Sequence, residues 1–147
     1  MKKRLVVMAV LFVLTMAVAT QVAQAQQPML VDIPFEFVAG SVTLPAGEYR
    51  VQKMDPTSTV LLISCSDPRA AVVLTTNAAQ ALKIQTQSSL VFNKYGHRYF
   101  LSQVWTEGSI RGRQLLKSQR EKEVAQIASL ETKGEITLVA GLHPARP

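Results

Sequence analysis

Short runs of β-branched, aromatic and other apolar residues, each closed by a turn signal, recur along this chain of 147 residues. Over residues 30–38, apolar residues alternate with polar ones and Pro34, which is the period of two of a strand with one buried face. Because proline has no backbone N–H to donate, this strand is expected at a sheet edge or with a bulge. Pro-, Gly- and Asp-containing turn signals separate the runs that follow. Turn signals at such short intervals favour many short strands.

The clearest hairpin is predicted at residues 89–105. Its arms, 89–94 and 98–105, are rich in aromatic and β-branched residues, which suit a pleated and half-buried surface. Gly96 between them supplies the positive φ that a tight connection usually needs. Strict alternation along the second arm predicts one shared face for Tyr99, Leu101, Gln103 and Trp105.

The pattern changes after residue 108, where Gly108 and Gly112 bracket a stretch that is predicted to be flexible. Ser118 and Glu121 then match a capping box, and apolar residues follow at helical spacing, so a helix is predicted at about 118–132. A last strand is predicted at 135–140, whereas 77–87 fits a helical turn, a loop or a continued strand. The fold class predicted is mainly β, an antiparallel sandwich or small barrel of about seven strands with one helix in the C-terminal region.

The N-terminus has the three-part layout of a secretory signal peptide. A basic start at 1–4 precedes an apolar run at 5–19, and Ala23 and Ala25 provide the small residues of a cleavage site after Ala25. The apolar run is shorter than the roughly 20 residues that span a bilayer, which disfavours a retained anchor. The predicted divisions are a signal peptide at 1–25, a single β-rich domain at 26–140 and a disordered tail at 141–147. A periplasmic or secreted location is expected.

Loss of the signal also changes the charge. The chain has 16 basic and 10 acidic residues, for a net charge of +6. The signal holds three of the basic residues and no acid, which leaves 13 against 10 and a net charge of +3. This charge is too small and scattered to predict nucleic-acid binding. No transmembrane segment is expected after cleavage, and Cys65, without a second cysteine, is expected to be a buried small hydrophobe, with intermolecular pairing or a reactive thiol as alternatives.

No residue pattern predicts catalysis or a metal site. His97 falls in the predicted hairpin turn and His143 in the tail, and neither has ligand-type neighbours at metal-binding spacing. The acidic residues are dispersed, and no nucleophile-and-base arrangement, phosphate-binding loop or dinucleotide fingerprint is present. The sequence therefore predicts a protein that is not an enzyme and uses no cofactor and no metal.

Two groups of residues suggest binding. Tyr95, Arg98, Tyr99 and Trp105 would form an aromatic ligand surface with a polar partner, although aromatic residues on hairpins are more often core and cross-strand pairs. A basic run between residues 111 and 122 would contact anionic lipid or an acidic cell-surface polymer, although a solvated face is the favoured interpretation. That run consists of Arg111, Arg113, Lys117, Arg120 and Lys122.

Several segments resemble a family of small secreted bacterial proteins. They are PFEF at 34–37, LPAGEYRV at 44–51, LVFNK at 90–94 and YGHRYFLSQVW at 95–105, which fit LPAGxYxV and YGxxYFLxxVW patterns. The resemblance covers most of the mature chain. It implies a β-rich exported domain, and it supplies no active-site residue because no function is established for that family.

Three functions are compatible with these features. The first is an exported, non-enzymatic β domain with a structural or binding role in the cell envelope or outside the cell, through an unidentified protein partner. The second is a barrel-type carrier of a small apolar ligand, which an apolar and aromatic pocket would favour. The third and least favoured is an enzyme whose dispersed acids converge with His97 in a cleft.

Overall fold

The computed structural model describes residues 27–55, 57–65, 70–128 and 133–141. The predicted signal peptide, the end of the predicted helix and residues 142–147 of the predicted tail lie outside the described residues. The described residues form ten strands and one helix: β1 Met29–Ile33, β2 Phe37–Ala39, β3 Val42–Leu44, β4 Gly47–Lys53, β5 Val60–Cys65, β6 Ala71–Gln80, β7 Ser89–Tyr95, β8 Arg98–Trp105, β9 Arg111–Leu115, α1 Gln119–Ala128 and β10 Lys133–Val139.

The strands form one open sheet. Its main path runs β1-β4-β5-β6-β9-β8-β2-β3, while β7 pairs with the other edge of β8 and β10 pairs with β7. Neighbours are antiparallel except β2 and β8, which run parallel where Val38 lies opposite Phe100. The prediction of a mainly β chain with one helix is confirmed. The barrel alternative is wrong because β1 pairs with β4 and β10 with β7, but these two outer strands do not pair with each other and the sheet stays open.

Within the described residues, ten strands form where about seven are predicted, and two of the additional strands have local causes. The predicted strand at 30–38 is divided at Pro34, so that β1 pairs with β4 and β2 pairs with β3 and β8. The stretch predicted to be flexible after Gly108 contains β9, which pairs with both β6 and β8. The ambiguous segment 77–87 divides as well, because β6 continues to Gln80 before a loop begins.

One hydrophobic core joins two halves of the sheet, of which the first is formed by β1, β4, β5 and β6 and the second by the remaining strands. Aromatic rings lie at its centre, with Phe92 edge-on to Phe37 at a centroid distance of 5.4 Å and edge-on to Phe35 at 5.3 Å. Phe35 in turn stacks on Tyr99 at 4.0 Å. Such rings contribute both a large buried apolar area and a preferred mutual geometry. The division of the chain at Pro34 thus places Phe35 and Phe37 where both halves of the sheet contact them.

The LPAGxYxV segment forms a corner between β3 and β4, and Tyr49 closes it. The Tyr49 hydroxyl donates a hydrogen bond to the Pro45 carbonyl oxygen at 2.7 Å, and its buried ring lies edge-on to Phe37 at 5.2 Å. Burial raises the pKa of Tyr49, and nearby Cys65 raises it further. The segment therefore has a structural role that accounts for its proline and its tyrosine.

A β-bulge changes the faces of the predicted hairpin. The hairpin itself is confirmed, with Gly96 at φ 59° in its two-residue connection. However, Val91 lies opposite Gln103 whereas Phe92 lies opposite Leu101, so Ser102 is an extra residue on β8. Leu101 and Val104 consequently both enter the core. The predicted shared face for Tyr99, Leu101, Gln103 and Trp105 is wrong for this reason.

Helix α1 packs on the opposite, outer face of β7 and β8. Its N-terminal Ser118 hydroxyl accepts a hydrogen bond from the Glu121 backbone N–H at 3.2 Å, as the capping-box pattern predicts. The Glu121 carboxylate instead reaches the sheet, where Asn93 Nδ2 donates to it at 2.9 Å and the Tyr95 hydroxyl at 3.4 Å. Ala128 of the helix belongs to the same buried cluster as Tyr95 and Phe100 of the sheet.

Candidate functional site

A large cavity opens between the outer strands β1 and β10. Its volume is about 1160 Å³, somewhat above the roughly 300–1,000 Å³ of typical small-molecule pockets. The start of β1 at Met29 and Leu30 borders one side, and residues 139–141 border the other. The cavity exists because the sheet does not close at this point.

The loops 81–88 and 106–110 form a further wall of the cavity. They are held together by backbone hydrogen bonds from Ala81 N–H to Ile110 O at 2.8 Å and from Gly108 N–H to Gln85 O at 2.8 Å. The Glu107 N–H also donates to the Ser88 hydroxyl at 3.0 Å. These cross-links make the two loops one structural unit at the rim.

The floor of the cavity is apolar. Val51 of β4, Leu61 of β5 and Val104 of β8 line it, and all three also belong to the main core. Each lies on the inner face of its strand, since Val51 pairs with Ile63 and Leu61 with Leu74, which are core residues too. The three side chains are only 2–5% exposed, so the floor is the outermost layer of the core.

Basic side chains line the wall above this floor. Arg111 and Arg113 are two residues apart on β9 and therefore share a face. Arg113 lies opposite Ala78 on β6 and Val104 on β8, both of which line the cavity. Lys53 of β4 lies opposite the floor residue Leu61. The sheet register thus directs three cations from two separate strands into one space.

Two of these cations, Lys53 and Arg113, influence each other within the cavity. The Arg113 guanidinium Nη2 donates a hydrogen bond to the Ser58 carbonyl oxygen at 2.9 Å, so its side chain crosses β6 toward the β4–β5 turn. Burial lowers the pKa of Lys53, and the positive charge of Arg113 lowers it further. Lys53 and Arg113, here called the cation pair, therefore repel each other across the cavity wall.

The four residues predicted as a ligand surface do not come together. Tyr95 is buried beneath α1 with Phe100, and Arg98 is exposed beside the hairpin turn. Tyr99 lies on the opposite face, packed against the main core. Trp105 is at the far end of β8, about 23 Å along the strand from Arg98 at roughly 3.3 Å per residue. None of the four lines the cavity described above, and a binding role for them stays a prediction.

The Trp105 ring has a distinct contact, since it covers Gly112 of the neighbouring strand. Gly112→Ala is expected to displace this ring and to lower the free energy of unfolding by about 1–3 kcal/mol, the usual range for overpacking. An added methyl group would overlap the ring atoms Cε3, Cζ3 and Cδ2. Because the chain contains a single tryptophan, its fluorescence emission reports the displacement directly.

The control for that substitution is Gly134→Ala on β10. A methyl group there meets Lys94 at an ordinary contact distance of 3.8 Å, so emission and stability should stay as in the unmodified protein. A red-shifted emission maximum is expected for Gly112→Ala alone. An unchanged emission maximum for that variant would show that Gly112 does not set the position of Trp105.

The basic run predicted at 111–122 is divided by the fold. Arg111 and Arg113 belong to β9 and the cavity, whereas Lys117, Arg120 and Lys122 are exposed near α1. Arg120 Nη1 donates to the Thr43 hydroxyl at 3.3 Å. The run is therefore not one continuous face.

Lys53 was not singled out from the sequence, although a signal was present. It follows Tyr49 and Val51 at the same parity on β4, and both of these residues belong to the core. Arg111 and Arg113 show the same spacing of two. The period of a strand could therefore have indicated that basic residues continue the inner face beyond the core.

Other features of the described residues are limited. His97 is exposed in the hairpin turn, and Cys65 is half-buried against the core. Within the described residues, no group of three His, Cys, Asp or Glu side chains could hold a metal ion. In the same part of the chain, no helix has the length and apolar character needed to cross a membrane. His143 lies outside the described residues.

Comparisons with known proteins found no matching family model, no similar curated protein and no similar solved structure. The resemblance of the PFEF, LPAGxYxV and YGxxYFLxxVW segments to a secreted bacterial family therefore stays a prediction. Function has to be argued from the cavity and its side chains.

Proposed function

We propose that this protein is an exported, non-enzymatic β domain that binds a small molecule in the cavity between β1 and β10. The observation that carries the proposal is the cavity itself, about 1160 Å³ in volume, with an apolar floor and basic groups on its wall. Concave sites that combine apolar surface with a few converging polar groups are typical of small-molecule binding. Binding inside an open sheet replaces the closed-barrel form of the carrier hypothesis.

Export is supported by the sequence of residues 1–25, with its basic start, apolar run and small residues before the cleavage point. A non-enzymatic role is supported by the composition of the cavity wall. Among the described lining residues, Glu107 is the only carboxylate. His97 lies at the other end of the β7–β8 hairpin. General acid–base chemistry would require such groups to converge on one bound molecule.

The proposal is tested by blocking the cavity. Ala78 lines it and is exposed, so Ala78→Phe places a ring beside Arg113 without disturbing the core. Protein purified from the cells that produce it should show a retained small molecule by native mass spectrometry, and Ala78→Phe should lose it. The matched control is Asn77→Phe, which adds the same ring to the opposite face of β6.

Two results would remove the proposal. One is unmodified protein that carries no small molecule in native mass spectra or in a solvent extract of the purified material. The other is a retained molecule that Ala78→Phe and Asn77→Phe hold equally well. Far-ultraviolet circular dichroism and urea midpoints of both variants would confirm that each is folded.

A role through protein partners is the second candidate. It is favoured by three exposed apolar side chains, Leu82, Ile84 and Ile110, on the two cross-linked loops at the cavity rim. Exposed apolar groups that cluster can mark protein interaction sites. A co-purifying protein in place of a small molecule in the same native mass spectra would favour this candidate over the first.

A further inference from the structure

Among the described residues, neither member of the cation pair forms an ion pair with a carboxylate, and the carboxylate of the cavity wall, Glu107, lies on the 106–110 loop. The assigned partner of Arg113 is the Ser58 carbonyl oxygen, which is a neutral acceptor. The pKa of Lys53 falls, with burial as the larger cause and Arg113 as the second, whereas a dominant neighbouring carboxylate would raise it. Two partly buried like charges held in one cavity wall are destabilising on their own. A bound anion would relieve this repulsion.

The surface next to the cation pair is apolar. Lys53 pairs with Leu61 and Arg113 with Val104, and both partners are core residues that line the cavity floor. A small inorganic anion would neutralise the charges but make no use of this apolar floor. A neutral apolar molecule would cover the floor but leave the two cations without a counter-charge. A molecule that satisfies both surfaces must have an anionic head and an apolar body.

We propose that the cavity binds an amphiphilic oxyanion, with its head between Lys53 and Arg113 and its apolar chain over Val51, Leu61 and Val104. This assignment rests on the proposed binding function and specifies the class of ligand. Arg113 is suited to the head because a guanidinium presents several N–H donors in a fixed plane, of which the Ser58 bond uses one. Arg111, exposed at the rim, adds positive charge at the entrance and favours the approach of anions.

Isothermal titration calorimetry with defined probes tests this ligand class on the full protein after extraction of any retained molecule. The probes are octanoate, octyl phosphate, 1-octanol and acetate. Octanoate or octyl phosphate should bind at least about tenfold more tightly than 1-octanol or acetate, as expected for a charge-assisted hydrogen bond added to apolar burial. The relative affinities of octanoate and octyl phosphate decide whether the head is a carboxylate or a phosphate.

Variants locate the head. Lys53→Gln and Arg113→Gln should each weaken octanoate or octyl phosphate binding about tenfold or more and leave 1-octanol binding unchanged. The matched control is Arg50→Gln, which removes an exposed cation from the outer face of the same strand as Lys53. Lys53→Gln keeps the test valid even if Arg113→Gln loosens the Ser58 turn.

The possible outcomes separate the ligand class from the binding function. Equal affinity for octanoate, octyl phosphate and 1-octanol, or affinities that the two variants leave unchanged, would overturn the oxyanion head while small-molecule binding stands. Acetate binding as tight as that of octanoate would overturn the amphiphile in favour of a free anion. Binding of none of the four probes, together with no retained molecule in native mass spectra, would overturn the proposed function as well.

Discussion

Phe92→Ala is expected to lower the free energy of unfolding by about 3–5 kcal/mol, the usual range for truncating a fully buried phenylalanine. Phe92 has 0% exposure and lies between the Phe35 and Phe37 rings at centroid distances of 5.3 and 5.4 Å. Truncation would remove both edge-to-face contacts and leave a cavity where the two halves of the sheet meet. Since small domains are stable by only about 5–15 kcal/mol, the loss would be a large part of the total.

Urea denaturation followed by circular dichroism measures this effect. Phe92→Leu serves as the graded control, because it keeps most of the apolar volume and loses the ring contacts, so it should cost less than the alanine variant. A loss below about 0.5 kcal/mol for Phe92→Ala, which is ordinary for surface substitutions, would show that the aromatic cluster does not hold the two halves together.

Glu121→Ala is expected to cost about 2–4 kcal/mol, because it leaves two buried donors without their acceptor. The Glu121 side chain has 4% exposure, and its carboxylate accepts hydrogen bonds from Asn93 and Tyr95 on β7. Burial raises the pKa of Tyr95, and the nearby Glu121 carboxylate raises it further, so Tyr95 remains a neutral donor around neutral pH. Helix α1 is therefore attached to the sheet by a polar contact as well as by Ala128.

The matched control is Glu123→Ala, which removes an exposed carboxylate from the same helix two residues later. It should change the free energy of unfolding by no more than about 0.5 kcal/mol. Urea denaturation gives the stability of both variants, and limited proteolysis reports whether α1 has detached from the sheet. Equal stability of the two variants would mean that the buried contact with β7 contributes little.

Local sequence signals were sufficient for several elements. The β7–β8 hairpin was predicted because Gly96 provides the backbone conformation of its connection and both arms are rich in β-forming residues. The start of α1 was predicted because the Ser118 hydroxyl can accept a hydrogen bond from the backbone N–H of Glu121, three positions later. Such features depend on neighbours in the chain, so a single sequence contains the necessary information.

The candidate site was less accessible to sequence reasoning. Aromatic residues drew attention to the hairpin, but Tyr99 and Tyr95 are on opposite faces and pack in two separate clusters. The bulge at Ser102 also reversed the faces predicted for the rest of β8. An insertion of one residue in a strand changes the face of every residue beyond it, and no local pattern marked its position.

The sequence by itself determined the mainly β content, the hairpin and the start of the helix, because strand period, turn chemistry and capping act over a few residues. Only the tertiary structure decided that β9 pairs with both β6 and β8, that β1 and β10 do not pair, and that Lys53 and Arg113 line one cavity. These features depend on hydrogen bonding and packing between strands that are distant in the chain, and each pairing depends on the other strands of the sheet. The open end of the sheet, and with it the cavity, results from this pairing.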